Sequence, residues 1–295
     1  MSSTDCDCVD LSRQVAAVVT LFKPQEKYIK NIKTYSAYVG VLYVVDNTPD
    51  YDEQFHGMIK EAIPNIQYIS TGKNIGLSSA LNMGIEKARE NGYLWLLTMD
   101  QDSYFNDNQI KKYFDSIHLI DYHITAILSP MHRQTDIDDS PCIYKEKDIV
   151  WTSGNLLNID IATKTGMFDE KLFIDSVDHE YCLRTRMNGY KILQASNCFL
   201  NHEIGVAKVV GFLRWKKKRE FHSPKRLYFM IRNSFYLSDK YSQYYSLFIK
   251  KHNREVRREF IRGMKYSSER RVYIYYAIRA WLDYKRGVFG NAVNI

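Results

Sequence analysis

At 295 residues, 45% of them apolar, the chain is long enough for one large domain, or a domain with an appendage, around a sizeable core. Its five cysteines form no repeated Cys-x-x-Cys pair, which argues against a disulfide framework or a zinc site, and no run of about 18 apolar residues occurs that would span a bilayer. The formal charge of +7 is unevenly spread, because residues 1–205 carry 19 Lys/Arg against 28 Asp/Glu whereas residues 206–295 carry 22 against 6. Such a basic tail faces a polyanion, either nucleic acid or an anionic membrane surface, or else is a solvated helical face. Reduced cytosol is the expected compartment, and the polar, acidic stretch Ser2 to Asp10 is unlike a signal peptide.

Taken in chain order, short β-branched runs alternate with helical patterns. Strands are predicted at Val15 to Leu21, Val39 to Val45, Ile66 to Ile69, Tyr93 to Met99 and Thr125 to Leu128. Helices are predicted at Gln25 to Tyr35, Glu53 to Glu61, Leu77 to Asn91 and Asp107 to His118. The third helix is the clearest, with Leu77, Leu81, Ile85 and Ala88 on one stripe and Asn91-Gly92 as its stop. Near-continuous apolar strands with intervening helices imply an α/β fold with a parallel sheet covered on both faces.

Ligands of open parallel sheets bind at the carboxyl ends of the strands. Polar clusters stand at those ends: Thr20 with Lys23-Pro24, Asp46-Asn47-Thr48, Lys73-Asn74-Ile75-Gly76, and Asp100 with Asp102. The last pair suits a divalent metal, since hard cations take oxygen ligands and keep positions open for phosphate oxygens; as turn formers or helix caps the same residues would do no chemistry. No glycine-rich dinucleotide or P-loop motif is present, so a metal would have to manage a diphosphate. Lys73 and Asn74 would meet the nucleotide, or Lys73 is a solvated turn residue. Ser153-Gly154 would let backbone approach a ligand closely, or forms a simple turn.

Beyond about Val206 the sequence turns basic and Tyr-rich, with helices predicted near Pro224 to Tyr241, Tyr244 to Lys265 and Ser268 to Arg286. Val272, Tyr275, Tyr276, Arg279, Leu282 and Asp283 make a mixed aromatic and basic face, as on helices at a membrane interface, although packing on the first domain explains the aromatics equally.

Five stretches, in this order, resemble glycosyltransferase family 2, the inverting GT-A-fold enzymes, and within it the bacterial rhamnosyltransferases. They are Val18-Val19-Thr20 with Pro24; Tyr43-Val44-Val45-Asp46-Asn47; Asn74-Ile75-Gly76 with Ala80, Asn82 and Gly84; Asp100-Gln101-Asp102-Ser103; and Ser153-Gly154 leading to Phe168-Asp169 and Asp178-His179-Glu180-Tyr181-Cys182-Leu183-Arg184. Arg232-Asn233 is also similar to that branch. The resemblance implies a Rossmann-like GT-A domain over residues 1–205, with a mixed, mostly parallel sheet, followed by a basic helical extension over 206–295.

It also implies a nucleotide-sugar donor, a divalent cation (Mg²⁺ or Mn²⁺) and direct displacement at the anomeric carbon. Asp102 would hold the metal with Asp100 beside it, contacting metal or ribose; His202 would be a further metal or diphosphate contact, or structural. Asp46 would accept the imide N–H of thymine or uracil, or close an Asx turn. Asp178 matches the family's general base, with Val177 where the family usually has Glu; as a plain N-cap it would start the helix predicted from Asp178 to Asn188. Glu180 and Arg184 would touch the acceptor, or Glu180 would favour the helix start and pair with Arg184 one turn on. The expected activity is transfer of L-rhamnose from dTDP-β-L-rhamnose to a polyprenyl-diphosphate-linked saccharide at the cytoplasmic face of the inner membrane, in surface polysaccharide biosynthesis. UDP-galactofuranose, UDP-hexosamine or UDP-glucose are alternative donors, a homo-oligomer is compatible with the sequence, and nucleic-acid binding by the tail ranks lower because it leaves the strand-end carboxylates idle.

Overall fold

Parallel strands whose side chains are buried on both faces form the centre of the molecule. The computed structural model describes residues 14–132, 140–202, 208–210, 217–219 and 222–293; the acidic first residues, with Cys6 and Cys8, lie outside them. Strand β1 (Val15–Leu21) runs parallel to β2 (Val41–Asp46) on one side and to β4 (Trp95–Asp100) on the other, and β3 (Ile66–Ser70) extends the sheet beyond β2. Register places Leu21 opposite Asp46 and Thr20 opposite Asp100, so the polar clusters at these strand ends stand level along one edge.

The crossovers are α1 (Lys27–Ser36), α2 (Glu53–Ala62) and α3 (Leu77–Glu90). Ala80, Leu81, Ile85 and Ala88 of α3 are buried against Ala16, Val18, Tyr43 and Val45, while Val15, Ala17, Val19 and Val44 face a second core under α1 and α2. This two-sided burial explains the near-continuous apolar strands.

The other half of the sheet is mixed. After β5 (Ser103–Tyr104), α4 (Asp107–Asp115) gives way to a short 3₁₀ turn over residues 116–119, where the sequence pattern reads as continuous helix. Strands β6 (Thr125–Met131), β7 (Tyr144–Glu146), β8 (Asn155–Asn158) and β9 (Lys191–Phe199) complete the order β3-β2-β1-β4-β8-β6-β9-β7. β8 lies antiparallel between β4 and β6, and β7 pairs antiparallel on the edge of β9. Helices α5 (Ile159–Thr165) and α6 (Val177–Met187) cover this half. β10 (Asn201–His202) pairs with β5, and β11 (Lys208–Val210) with β12 (Lys217–Arg219).

Three C-terminal helices follow: α7 (Pro224–Tyr241), α8 (Ser246–Tyr266) and α9 (Arg270–Lys285). Leu237 and Tyr241 of α7 and Ile249 of α8 are buried in the same core as α3, α5 and α6, so this basic region shares its packing with the sheet. On α9, Tyr276 packs beside Tyr228, Asp283 accepts a hydrogen bond from the Tyr228 hydroxyl at 2.7 Å, and Arg279 donates to the Ala292 carbonyl. The face expected at a membrane therefore turns partly inward; the outward stripe is Ile274, Tyr275, Ile278 and Trp281. None of the described helices is long and apolar enough to cross a membrane.

Candidate active site

β4 ends on Asp100, and the chain turns through Gln101 and Asp102 into β5. Pairing of β5 with β10 sets His202 opposite Ser103, across nearly a hundred residues of sequence. One ligand atom each from Asp100, Asp102 and His202 lies within 4.8 Å of the others, and His202 Nδ1 is 3.4 Å from Asp102 Oδ1. Asp100 N–H donates to Ser153 Oγ at 3.1 Å, Ser153 Oγ donates to Ser103 Oγ at 2.9 Å, and Ser103 Oγ shares a 2.8 Å hydrogen bond with His202 Nδ1. Burial, then repulsion from Asp102, push the Asp100 carboxyl up to about 6, with His202 opposing. Asp102 Oδ1 is buried and accepts no hydrogen bond. Crowded carboxylates and an orphaned acceptor beside an imidazole fit a hard divalent cation, for which these three residues would be the ligands.

Facing them is the loop before α6. Phe173, Asp175 and Ser176 all have φ near +60°, a left-handed conformation that costs about 1 kcal/mol or more at each non-glycine residue. Helix α7 braces this loop. Asn233 Nδ2 donates to the carbonyls of Leu172, Ile174 and Asp175 at 2.8–3.0 Å, and Arg232 Nη2 donates to those of Lys171 and Leu172. Arg226 grips the Asp175 carboxylate with Nε and Nη2, and this pairing holds the guanidinium above its ordinary range. From the β3–α3 connection, Leu77 N–H donates to the Phe173 carbonyl at 2.7 Å. Gly76, with φ +89°, has no room for a Cβ, which would lie 2.4 Å from the Phe173 ring. Arg232-Asn233 thus acts on the site through this loop, which delivers Asp178 at the start of α6.

The result is a cavity of about 560 Å³ whose wall includes Thr20, Asn74, Asp100, Asp102, Asp178 and His202. Asn47, next to Asp46, shares it, as do Trp151, Asp175 and Arg226, which the motifs did not single out. Asn47 holds the Gly76 carbonyl through Nδ2, while its Oδ1 is buried without a partner. Arg226 is the only lysine or arginine among the described wall residues. Its sequence signal was the Ser223-Pro224 helix start, which says nothing of where the helix docks.

Other expected site residues stand elsewhere. Asp46 is wholly buried; Oδ1 accepts Thr48 N–H at 2.9 Å, an Asx turn, and Oδ2 accepts the Tyr68 hydroxyl at 2.5 Å, leaving Asn47 as the cavity wall at that strand end. Lys73 lines a neighbouring cleft with Pro49, Ser79, Glu170 and Asn291. Ser153 is buried behind Asp100, and Gly154, with φ +84°, faces Pro130 and Leu200, which a Cβ would meet at 2.7 and 2.8 Å.

Glu180 and Arg184, expected to touch an acceptor, turn inward instead. The Glu180 side chain is 0% exposed and accepts from Arg184, Lys240 and Tyr241, while Arg184 also donates to the carbonyls of Thr165, Gly166 and Met167. Helical spacing explains the correction: residues two and six after Asp178 fall on the core side of α6, where burial requires each charge to be paired.

The chain and its fold have counterparts among known proteins. The chain is 28% identical over 256 residues to the dTDP-rhamnosyl transferase RfbF of Shigella flexneri, covering 78% of this chain and 81% of that protein. A crystal structure of S. aureus TarS 1-349 in complex with UDP-GlcNAc superposes with TM-score 0.54 at 15% identity, over 93% of this chain and 81% of that one. GalNAc-T7 with UDP, GalNAc and Mn²⁺ gives TM-score 0.55 at 13% identity, over 92% of this chain and 57% of that one, and the chain spans 40% of a longer TarS chain. Since the Glycosyl transferase family 2 model matches residues 28–181, more than half of the chain, the protein belongs to that family and is a glycosyltransferase.

Proposed function

We propose that the protein is an inverting rhamnosyltransferase that moves L-rhamnose from dTDP-β-L-rhamnose to a lipid-linked saccharide in surface polysaccharide biosynthesis. The observation that carries this reading is one cavity bringing Asp178 opposite the Asp100, Asp102 and His202 group, in a chain similar over most of its length to a dTDP-rhamnosyl transferase. A divalent cation, Mg²⁺ or Mn²⁺, held by that group would offset the charge that develops on the leaving diphosphate.

The remaining roles fall to the chain itself. Asp178 Oδ takes the proton of the acceptor hydroxyl as its oxygen attacks the anomeric carbon from the face opposite the leaving group. Of the cavity wall, Thr20, Asn47 and Asn74 would border the nucleoside, and Arg226 adds a fixed positive charge beside the four wall carboxylates. Incubating the protein with dTDP-rhamnose, Mn²⁺ and an octyl glycoside of N-acetylglucosamine or rhamnose, and reading the product by proton NMR, is expected to give an α-L-rhamnoside. A β-linked product would refute inversion, and turnover restricted to UDP-sugars would replace the donor.

The lipid-linked acceptor places the enzyme at the cytoplasmic face of the inner membrane. Two outward stripes support this: Leu247, Lys251, Arg254, Arg258, Ile261 and Lys265 along α8, and Ile274, Tyr275, Ile278 and Trp281 along α9. Each Lys or Arg near an anionic bilayer contributes about 1 kcal/mol, screened by salt. Sedimentation with phosphatidylglycerol vesicles is expected to be strong in low salt and weakened by Trp281→Glu; equal binding to purely phosphatidylcholine vesicles would contradict the electrostatic part.

A further inference from the structure

With Glu180 and Arg184 committed to the core, the acceptor needs another place to lie. Trp151 stands at the rim of the cavity, 59% exposed, and also walls an adjoining cleft of about 230 Å³ formed with His132, Ile149, Val150 and Gln194. A single exposed aromatic is ordinary on a protein surface. This one is unusual in its place, since it divides the cavity containing Asp178 from the cleft beside it. The chain that follows it is held firmly: Thr98 Oγ1 donates to the Thr152 carbonyl at 2.6 Å, Gly154 N–H to the Thr98 carbonyl at 2.7 Å, and Ser153 is tied to Asp100. The backbone next to Trp151 is therefore anchored to the end of β4.

His132 completes the platform. Its ring centroid lies 4.9 Å from that of Trp151 with planes inclined at 57°, and its Nε2–H donates to the Ser153 carbonyl at 2.7 Å, which leaves Nδ1 as an acceptor. Burial, outweighing the opposing hydrogen bond to Ser153, holds His132 below the ordinary histidine range and favours the uncharged ring. A neutral rim with one large aromatic face and a few polar atoms suits a saccharide, whose ring offers C–H groups to the indole and hydroxyls to the imidazole and to the amide of Gln194.

Resting on the glycosyltransferase reading above, we propose that Trp151, His132 and Gln194 form the acceptor subsite, with Trp151 as the stacking platform for the sugar whose hydroxyl reaches Asp178. The occupant is a neutral or weakly charged saccharide, and the lipid carrier extends outward from the cleft.

The test is saccharide binding to the full chain saturated with dTDP and the diamagnetic ion Mg²⁺, using methyl α-L-rhamnopyranoside and octyl β-N-acetylglucosaminide as probes in saturation-transfer NMR and titration. Wild type is expected to bind at least one probe. Trp151→Ala should weaken that binding roughly tenfold or more, as loss of a central aromatic anchor does, and Trp151→Phe should restore most of it. Affinity for dTDP should stay within about twofold in both variants, because no nucleotide contact is removed. The subsite is overturned if a dTDP-bound wild type binds neither probe, if Trp151→Ala leaves saccharide affinity unchanged, or if dTDP affinity falls in parallel. A wild type that binds no thymidine or uridine nucleotide would instead overturn the donor reading on which the subsite depends.

Discussion

Replacing Asp178 with Asn is expected to lower the rate of transfer by about 10³-fold while leaving affinity for dTDP with Mn²⁺ unchanged, within the 10²–10⁴-fold range of general-base contributions. Asn preserves the size of the side chain and its amide oxygen can still accept from His179 N–H, the contact that Asp178 Oδ1 makes at 2.8 Å. It cannot take a proton. Asp178 is not the N-cap expected from the sequence but the second residue of α6, inside the N-cap Ser176. The substitution therefore removes a first-turn charge worth about 0.3–1 kcal/mol to the helix and no cap, and separates the base role from the helix-start role. Rapid-mix measurement of product formation under saturating donor reads the difference directly. Turnover within a few fold of wild type would leave Asp178 with the structural role alone, and the base would have to be sought among the other wall carboxylates.

The second large effect is on stability. Glu180→Ala is expected to cost about 3–5 kcal/mol, the penalty for removing one partner of a buried ion pair, because it strands Arg184 beneath α6. Glu180 Oε1 accepts from Arg184 Nε at 3.0 Å, Lys240 Nζ at 2.7 Å and the Tyr241 hydroxyl at 2.7 Å, and Oε2 accepts from Arg184 Nη2 at 2.8 Å. Burial alone would raise this carboxyl; hydrogen bonding and charge from Arg184, then Lys240, outweigh it and hold Glu180 below its ordinary value.

The sign of the pH dependence follows. A carboxyl lowered in the folded state contributes stability that is fully present above the unfolded value, about 4.3, and is lost as pH falls through the lower folded value. Urea unfolding at pH 7 and pH 4 is expected to show a smaller gap between wild type and Glu180→Ala at the lower pH. A variant of native stability with a raised acceptor KM would return Glu180 to the acceptor site.

What could be read from the sequence was what repeats locally. The first four parallel strands, the α3 stripe and the strand-end polar clusters all follow from periodicity over a few residues. The reversed strand β8 did not, because Asn155-Leu156-Leu157-Asn158 is too short and symmetric to carry a direction, and β7 and β9 lack clear alternation. Asp46 shows how a motif residue can keep its place and change its surroundings: Tyr68, on the next strand, reaches its carboxylate, and no local pattern announces that contact.

The site divides the same way. Asp100 and Asp102 are adjacent in sequence and were legible as a pair, whereas their approach to His202 depends on a two-residue strand pairing. The bracing of the Asp178 loop by Asn233 spans about sixty residues and involves carbonyls, which have no sequence signature. Trp151 was invisible for a different reason: exposure, which distinguishes it from a core tryptophan such as Trp95, exists only once the fold does.

The most direct measurement is thermal unfolding of wild type and Asp102→Ala with dTDP, dTDP-rhamnose, UDP-sugars and GDP-mannose, each with Mn²⁺, Mg²⁺ or EDTA. A ligand at 100 times its dissociation constant stabilises the fold by about 2.7 kcal/mol, a shift of a few degrees in a chain of this size. The expected result is stabilisation by thymidine nucleotides that requires the metal and disappears in Asp102→Ala. Unfolding temperatures unchanged by every nucleotide, with metal or without, would contradict the assignment of this cavity to a nucleotide-sugar donor.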